Sequence, residues 1–444
     1  MRQPKISILT PIYNAESFLK QCAESVINQP FREIEWVCVN DGSTDNSLHI
    51  LEQYAQKDSR IRVINQTNQG PAVALNRAME NATGEFIHFL DADDYLTDNA
   101  YEKPYIIANK NNLDIIKVKA YPINAFTGQL ISGTIADRYA LSKMSPEDYE
   151  KPFSFVEFPE KLTSYPVFAP WSGIYRRSFL MDNNIRFNSL RAFADHSFYF
   201  AAVAHSRRIM IADVYVLYSR RHNPNSLVGD YVKRFSEHFE SFDIILEDCS
   251  FLPKKAYSSV LSSEIESIFS WYHKVLNQNA DTQEATRLMN TFVRSFDISL
   301  IDDKCKNSLW YLEYLIIKQE LSGENAASSQ FKENFSTEIR KRLPLPMKNV
   351  QPGSKVVLYG AGTLGGRIYR LLQTSRFCNI VLLVDRKLKD FQSKKLPVHN
   401  PDDMLAIEYD YVLICVENKS YVNDIRNWLV QKTVPETKIL SFYV

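Results

Sequence analysis

The sequence predicts an α/β protein. A parallel, doubly wound sheet forms the N-terminal part, a helical region follows, and a smaller α/β unit closes the chain. Three observations carry this prediction. Short apolar runs alternate with helix-like stretches over about the first hundred residues. From Tyr231 to Arg342 the apolar residues keep only helical spacing. Lys355 to Tyr359 then runs through Gly360-Ala361-Gly362-Thr363-Leu364-Gly365 into another helical pattern, the order of a phosphate-cradling turn. The expected domain boundaries are 1–230, 231–345 and 350–444.

Composition narrows the class. A chain of 444 residues suggests two or three domains with ample material for a core. Hydrophobic content of 45% with 23% charged residues is that of a soluble globular protein. The 52 acids balance the 52 bases, so no global field points to nucleic acid. The cysteines Cys22, Cys38, Cys249, Cys305, Cys378 and Cys415 make no CxxC pair and read as small core residues in a reducing compartment. The first residues enter a strand directly, and no apolar run approaches the ~20 residues of a membrane span. The expectation is a cytoplasmic protein.

Taken in order, Ile6–Thr10 is a first strand stopped by Pro11, and Phe18, Cys22, Ser25 and Val26 share one face of a helix. Glu35–Val39 is a second strand ending in Asn40-Asp41-Gly42-Ser43-Thr44-Asp45, rich in turn and N-cap residues, with a helix from Ser47. Ile61–Asn65 leads through Asn68-Gln69-Gly70-Pro71 into a helix carrying Ala74, Leu75, Ala78 and Met79. Phe86–Leu90, a fourth strand, runs into Asp91, Asp93 and Asp94. Pro11, Asp41, Asn68 and Asp91 would share the C-terminal edge of the sheet, where such sheets bind ligands. Acids so placed could share a Mg²⁺ or Mn²⁺ ion, or form a solvated turn with Asp94 capping the next helix.

Four motifs in this order, Pro11-Ile-Tyr-Asn14, Val39-Asn-Asp-Gly-Ser-Thr-Asp45, Asn68-Gln-Gly70 and Gly84-Glu-Phe-Ile-His-Phe-Leu-Asp-Ala-Asp-Asp94, resemble those of family 2 glycosyltransferases. The resemblance implies a GT-A fold and inverting transfer from a nucleotide sugar. It implies that Pro11 and Tyr13 pack on the base, that Asp41 accepts a hydrogen bond from it, that Asp91 faces the ribose and that Asp93 holds the metal. Asn14, Asn68 and Gly70 join the donor-binding set. Leu75 stands where relatives often carry Arg.

Further along, Asp114–Tyr121 reads as a strand, and residues 126–167 as a variable insertion. Trp171, in a turn before a short helix, could stack on an acceptor sugar or sit in the core. Asp195 is the general-base candidate, and an inverting transfer needs such a base opposite the leaving group. Relatives carry Glu-Asp here, whereas this chain has Ala194-Asp195. Ile209–Tyr218 is the last strand of the domain. In the family's Tyr-x-x-Arg pattern, Arg221 (or Arg220) could bond the diphosphate, and His222 could be a metal ligand or a diphosphate contact.

The helical region contains no acid pair, cysteine cluster or glycine loop and reads as spacer and packing. Arg340-Lys341-Arg342, before Pro344 and Pro346, marks a linker and could touch an anionic membrane face. In the last unit Gly360, Gly362 and Gly365 could receive a phosphate, and Asp385, ending the next strand, a ribose hydroxyl. This unit resembles the Rossmann-like modules appended to some polysaccharide-biosynthesis proteins.

The sequence thus points to an inverting, metal-dependent glycosyltransferase of surface polysaccharide synthesis. Its donor would be a nucleotide sugar, UDP-linked, and its acceptor a glycan or lipid-linked hydroxyl. The cofactor would be Mn²⁺ or Mg²⁺, with a nucleotide at the C-terminal unit, in an oligomer or at the inner membrane face. The rival reading is an NAD-dependent oxidoreductase or nucleotide-binding regulatory protein centred on Gly360 to Asp385.

Overall fold

The structure, a computed structural model, describes residues 3–132, 149, 151–163, 166–221, 232–277, 282–322, 329–342, 349–387, 396–416 and 418–442. Two compact units emerge, Met1–Ser263 and Glu264–Val444.

The first unit is built on an eight-stranded sheet in the order β3-β2-β1-β4-β7-β6-β8-β5. The strands are β1 (Ile6–Ile12), β2 (Ile34–Asp41), β3 (Ile61–Gln66), β4 (Phe86–Phe89), β5 (Tyr95–Leu96), β6 (Ile115–Asn124), β7 (Gly173–Arg176) and β8 (Ile209–Arg221). β1 to β4 are parallel neighbours, as their alternation with helices requires. β7 runs antiparallel between β4 and β6, and β5 lies antiparallel on β8. Every residue of β2 is buried, the signature of a strand covered on both faces. Helices Glu16–Ile27, Ser47–Lys57 and Pro71–Asn81 turn Leu19, Cys22, Val26, Leu51, Ala74 and Ala78 into this core.

The second unit carries a five-stranded, wholly parallel sheet in the order β11-β10-β9-β12-β13. Its strands are β9 (Lys355–Tyr359), β10 (Asn379–Val384), β11 (Val398–His399), β12 (Tyr411–Ile414) and β13 (Ile439–Ser441). Helix Thr363–Ser375 follows β9 and buries Ile368, Leu371 and Leu372. A Cβ on Gly365 would stand 1.7 Å from the carbonyl oxygen of Gly360, so only glycine lets this helix approach its strand.

The unit boundary differs from the boundaries at 230 and 345 expected from sequence. The helical middle is divided between the two units. Ile245, Cys249, Leu252, Ala256 and Val260 join the first core, whereas Leu312, Ile316 and Phe335 join the second. The division therefore falls inside helix Lys254–Asn277. Among the described residues, no helix is long and apolar enough to cross a membrane.

Candidate active site

The register aligns the strand ends. Ile12 pairs with Asn40, Asn40 with Asn65, Asp41 with Gln66, and Leu9 with Phe89. Pro11, Tyr13, Asn14, Asp41, Asn68, Gly70 and Asp91 therefore meet at one edge.

Two side chains lace this edge together. Asn14, at φ 50°, accepts from the Thr44 N–H at 2.8 Å, while its own N–H donates to Ser43 Oγ at 3.1 Å. Asp41, 3% exposed, accepts from Gln66 Nε2 and the Gln69 N–H through Oδ1 and from the Gly70 N–H through Oδ2, each at 2.8 Å. A carboxylate offers about four lone-pair sites, so one acceptor position stays open at Asp41 Oδ2. Asp41 thus shapes the 66–70 turn first. Gly42 belongs to the same arrangement: at φ +71° its Cβ would meet the Asn68 nitrogen at 2.8 Å. Tyr13, 52% exposed, presents its ring at the rim, as a platform for a flat ligand must.

At the end of β4, ligand oxygens of Asp91, Asp93 and Asp94 lie within 4.8 Å of one another. Asp91 is exposed, Asp93 half-buried and Asp94 buried. Burial and the Asp93 charge raise the Asp91 and Asp94 carboxyls above the usual range; Asp195 adds to the rise at Asp91, and Arg221 pulls both back. Since Asp91 opens to solvent, its neighbouring charges matter more than its desolvation, and water screens them in part. Three hard-oxygen donors that repel one another are a donor set suited to a divalent cation, which relieves the repulsion.

Asp94 does not cap a following helix. Its Oδ1 accepts the backbone N–H of Arg220 at 2.7 Å, across 126 positions of sequence, which fixes the end of β8 over the acidic loop. The Arg220 guanidinium lies between the rings of Phe18 and Tyr95, at 5.0 and 4.8 Å from their centroids, and donates to the Asp93 carbonyl and to Gln21 Oε1. Arg220 is thereby committed to protein. The neighbouring Arg221 is the arginine whose charge acts on Asp91 and Asp94.

Asp195 stands in the first turn of helix Ala194–His205, half-buried and near enough for its charge to act on Asp91. Phe193 sets its position. This buried residue adopts the left-handed conformation, φ 60° and ψ 8°, rare for a bulky side chain. Its ring stacks on His238 at 4.0 Å, and its carbonyl accepts from Ser241 Oγ at 2.9 Å. Packing holds the strain beside the acid. Glu237 fixes the preceding turn, accepting the N–H groups of Arg191 and Ala192, each at 2.8 Å.

Three expectations are corrected or fall outside the description. Trp171 is 2% exposed within the core, and its carbonyl accepts from His88 Nε2 at 3.0 Å, so its ring offers no open face to an acceptor. His222 lies outside the described residues. In the second unit the Asp385 carboxylate accepts the N–H groups of Ala361 and Lys387 at 2.8 Å, so it first braces the glycine turn. Gln21, Gln66 and Phe193 were not singled out from sequence, and Arg220, expected as an alternative diphosphate contact, is bonded to protein instead. Only their long-range partners reveal them, apart from the strand-end position of Gln66.

Comparison with known proteins agrees with this geometry. Residues 7–183 match the family described as "Glycosyl transferase family 2", and residues 353–440 match "C2185-like, N-terminal". The chain is 32% identical over 239 residues to the uncharacterized glycosyltransferase EpsJ of Bacillus subtilis, covering 53% of this chain and 67% of EpsJ. It is 28% identical over 303 residues to the poly(ribitol-phosphate) beta-glucosyltransferase of Bacillus spizizenii, covering 66% of this chain and 40% of that enzyme. The crystal structure of S. aureus TarS 1-349 in complex with UDP-GlcNAc superposes with a TM-score of 0.56 at 20% identity, over 72% of this chain and 92% of TarS 1-349. The first unit has the GT-A fold, and the chain is a glycosyltransferase that belongs to glycosyl transferase family 2.

Proposed function

We propose that the chain is an inverting, divalent-metal-dependent glycosyltransferase that moves a sugar from a UDP-sugar to a glycan or lipid-linked acceptor in surface polysaccharide synthesis. The observation that carries this reading is the acidic loop at the strand ends, with Asp195 and Arg221 near enough for their charges to act on it. The names of the relatives support the polysaccharide context, and the UDP-GlcNAc bound by TarS supports the donor class.

In this reading Tyr13 and Pro11 cover the base, and Asp41 accepts a base N–H through its remaining Oδ2 position. Asp91 faces the ribose, and Asp93 holds a Mn²⁺- or Mg²⁺-type ion. Such an ion, when bound, supplies positive charge to the departing diphosphate. Arg221 adds a fixed guanidinium to that charge. Asp195 takes the acceptor hydroxyl's proton as its oxygen forms the new bond to the anomeric carbon. The old bond to the diphosphate oxygen breaks on the opposite face, and UDP leaves with the electron pair. Without the usual acidic neighbour, Ala194 spares Asp195 one source of like-charge repulsion.

Asp195→Asn tests the assignment. It should lower transfer by roughly 10²–10⁴-fold while UDP-sugar affinity, followed by titration calorimetry, stays within about twofold. Full activity in that variant would remove Asp195 from the mechanism.

A second site in the same chain is favoured by Gly362. A Cβ there would meet nothing within 4 Å, so packing does not explain why this residue, the N-cap of helix Thr363–Ser375, is glycine. A nucleotide phosphate approaching the turn would explain it. Calorimetry with UDP-sugars and with NAD⁺ should then show one site that Gly362→Val lacks. Equal stoichiometry in the variant and the wild type with both ligands would eliminate it.

A further inference from the structure

We infer that the sheet edge opposite the acidic loop carries a separate binding site for a phosphate-type oxyanion, formed by Lys5, Arg176 and Arg177. A cavity of about 300 Å³ opens there, lined by Lys5, Gly84, Glu85, Arg176, Arg177 and Ser178 among others. Glu85 precedes β4 and Asp91 follows it, so strand and flanks separate the two sites by about 20 Å at ~3.3 Å per residue.

The charges in the cavity do not balance. Among the lining residues three cations face one carboxylate, with the Glu33 charge acting on Lys5 from outside, and Glu85 is already shared: it pairs with Arg176 Nη1 at 3.0 Å and Lys5 Nζ at 4.0 Å, and accepts from the Tyr105 hydroxyl at 3.2 Å. Arg177 makes no ion pair among the described residues. Arg176 Nη2 and Arg177 Nε are buried and find no acceptor there. The other Arg176 donors are placed, Nε on the Leu113 carbonyl at 3.0 Å and the guanidinium over the Phe86 ring at 4.6 Å. The one unsatisfied nitrogen is thus held by a fixed side chain.

Buried donors without acceptors are rare in folded proteins, and an anion drawn into the cavity supplies an acceptor once the covered Arg177 Nε turns towards it. Water could accept a hydrogen bond but would leave the excess positive charge. A tetrahedral oxyanion supplies several acceptor oxygens and neutralises it, and guanidinium groups match its geometry. A cavity of this size holds many times the ~30 Å³ share of one water. A second cavity on this edge, beside Ile27, Tyr54 and Arg60, is a weaker case because Asp58 engages Arg60 at 2.6 Å. The anion could be free phosphate, a phosphorylated metabolite or the headgroup of an anionic lipid, which share the recognised chemistry.

The test uses the full-length chain and avoids the donor site. Inorganic phosphate, titrated against sodium chloride of equal ionic strength, should raise the unfolding midpoint by roughly 3 °C at about tenfold excess over its Kd. Arg177→Gln should abolish that phosphate-specific rise, and so should Lys5→Gln, whose side chain stands at the open rim. Either variant keeps the inference testable if the other fails to fold. Sedimentation with phosphatidylglycerol vesicles, against phosphatidylcholine, separates the sources. Vesicle binding lost in Arg177→Gln assigns the site to a headgroup, and a phosphate effect without vesicle binding assigns it to a soluble ligand. Phosphate acting no more strongly than chloride, or equally on the variants, overturns the inference without touching the transferase assignment.

Discussion

Arg220 shows how one side chain can govern a site without reaching its ligand. Its backbone N–H satisfies Asp94, its guanidinium holds the Asp93 carbonyl, and the Phe18 and Tyr95 rings lie 5.0 and 4.8 Å from it. The acidic loop is thereby braced from behind, leaving the Asp93 carboxylate to act forward. If Asp93 holds the ion, Arg220→Gln should weaken Mn²⁺ binding by roughly 10–100-fold, the usual cost of removing a group that orients a ligand. Electron paramagnetic resonance titration of free Mn²⁺ measures this directly, with circular dichroism checking the fold. Arg220→Lys should rescue little, because an ammonium cannot reproduce a planar, stacked fork. Unchanged Mn²⁺ affinity in both variants would leave Arg220 with a packing role only. Asp41 has the opposite character. Three internal hydrogen bonds make it a shaper of the turn before it can be a ligand group, so Asp41→Asn should disturb the 66–70 turn as well as donor affinity.

At the scale of elements, what was legible in sequence depended on how local its cause was. β2 to β4 could be read from short apolar runs ended by Asp41, Asn65 and Asp91, since each ending is written in adjacent residues, whereas β1 was read short, because it runs through Pro11 to Ile12. The pairing of β7 and β5 could not, because antiparallel insertion depends on partners far away in sequence. β11, at Val398–His399, and β13, at Ile439–Ser441, are too short to leave a periodic signal. Asp195 was found by motif order, whereas the strained turn of Phe193 that presents it was invisible, since nothing in its own sequence demands a positive φ. The glycine turn after β9 was legible in full, yet its glycines do different work. Gly365 serves packing, and Gly365→Ala should cost the second unit several kcal/mol, because a Cβ cannot sit 1.7 Å from a carbonyl oxygen. Calorimetric unfolding should show the second unit's transition lowered or lost. A midpoint within one degree of wild type would mean that the helix shifts freely on its strand.

On the scale of the whole molecule, the second unit carries a buried charged cluster that ties its stability to pH. Within the second unit, Glu313 on helix Leu309–Leu321 is 7% exposed and accepts from Arg367 Nη2 at 2.6 Å and from His273 Nε2 at 2.8 Å. Arg370 donates to His273 Nδ1 at 3.0 Å, which leaves the imidazole neutral with its proton on Nε2. Glu266 also binds Arg367, and the Tyr272 ring lies 5.4 Å from the imidazole. Burial opposes ionisation of Glu313, yet Arg367 and His273 outweigh it and hold the carboxyl down at about 2. Burial holds His273 below the usual imidazole range, with Arg367 and Arg370 adding to the effect of burial against the pull of Glu313. Both shifts have the same sign for stability. Each group binds its proton more readily in the unfolded chain, so each contribution is complete above the unfolded pKa and is lost as pH falls. The His273 part should fade below about pH 6.5, and the Glu313 part from about pH 4.5 towards 2. Calorimetry between pH 7.5 and 2 should therefore show the second unit's transition falling in two stages, and His273→Gln should remove the upper stage while leaving the lower. A second-unit midpoint that stays level from pH 7.5 to 5 would mean that His273 can take up its proton without breaking the cluster, contrary to the hydrogen bond it accepts from Arg370.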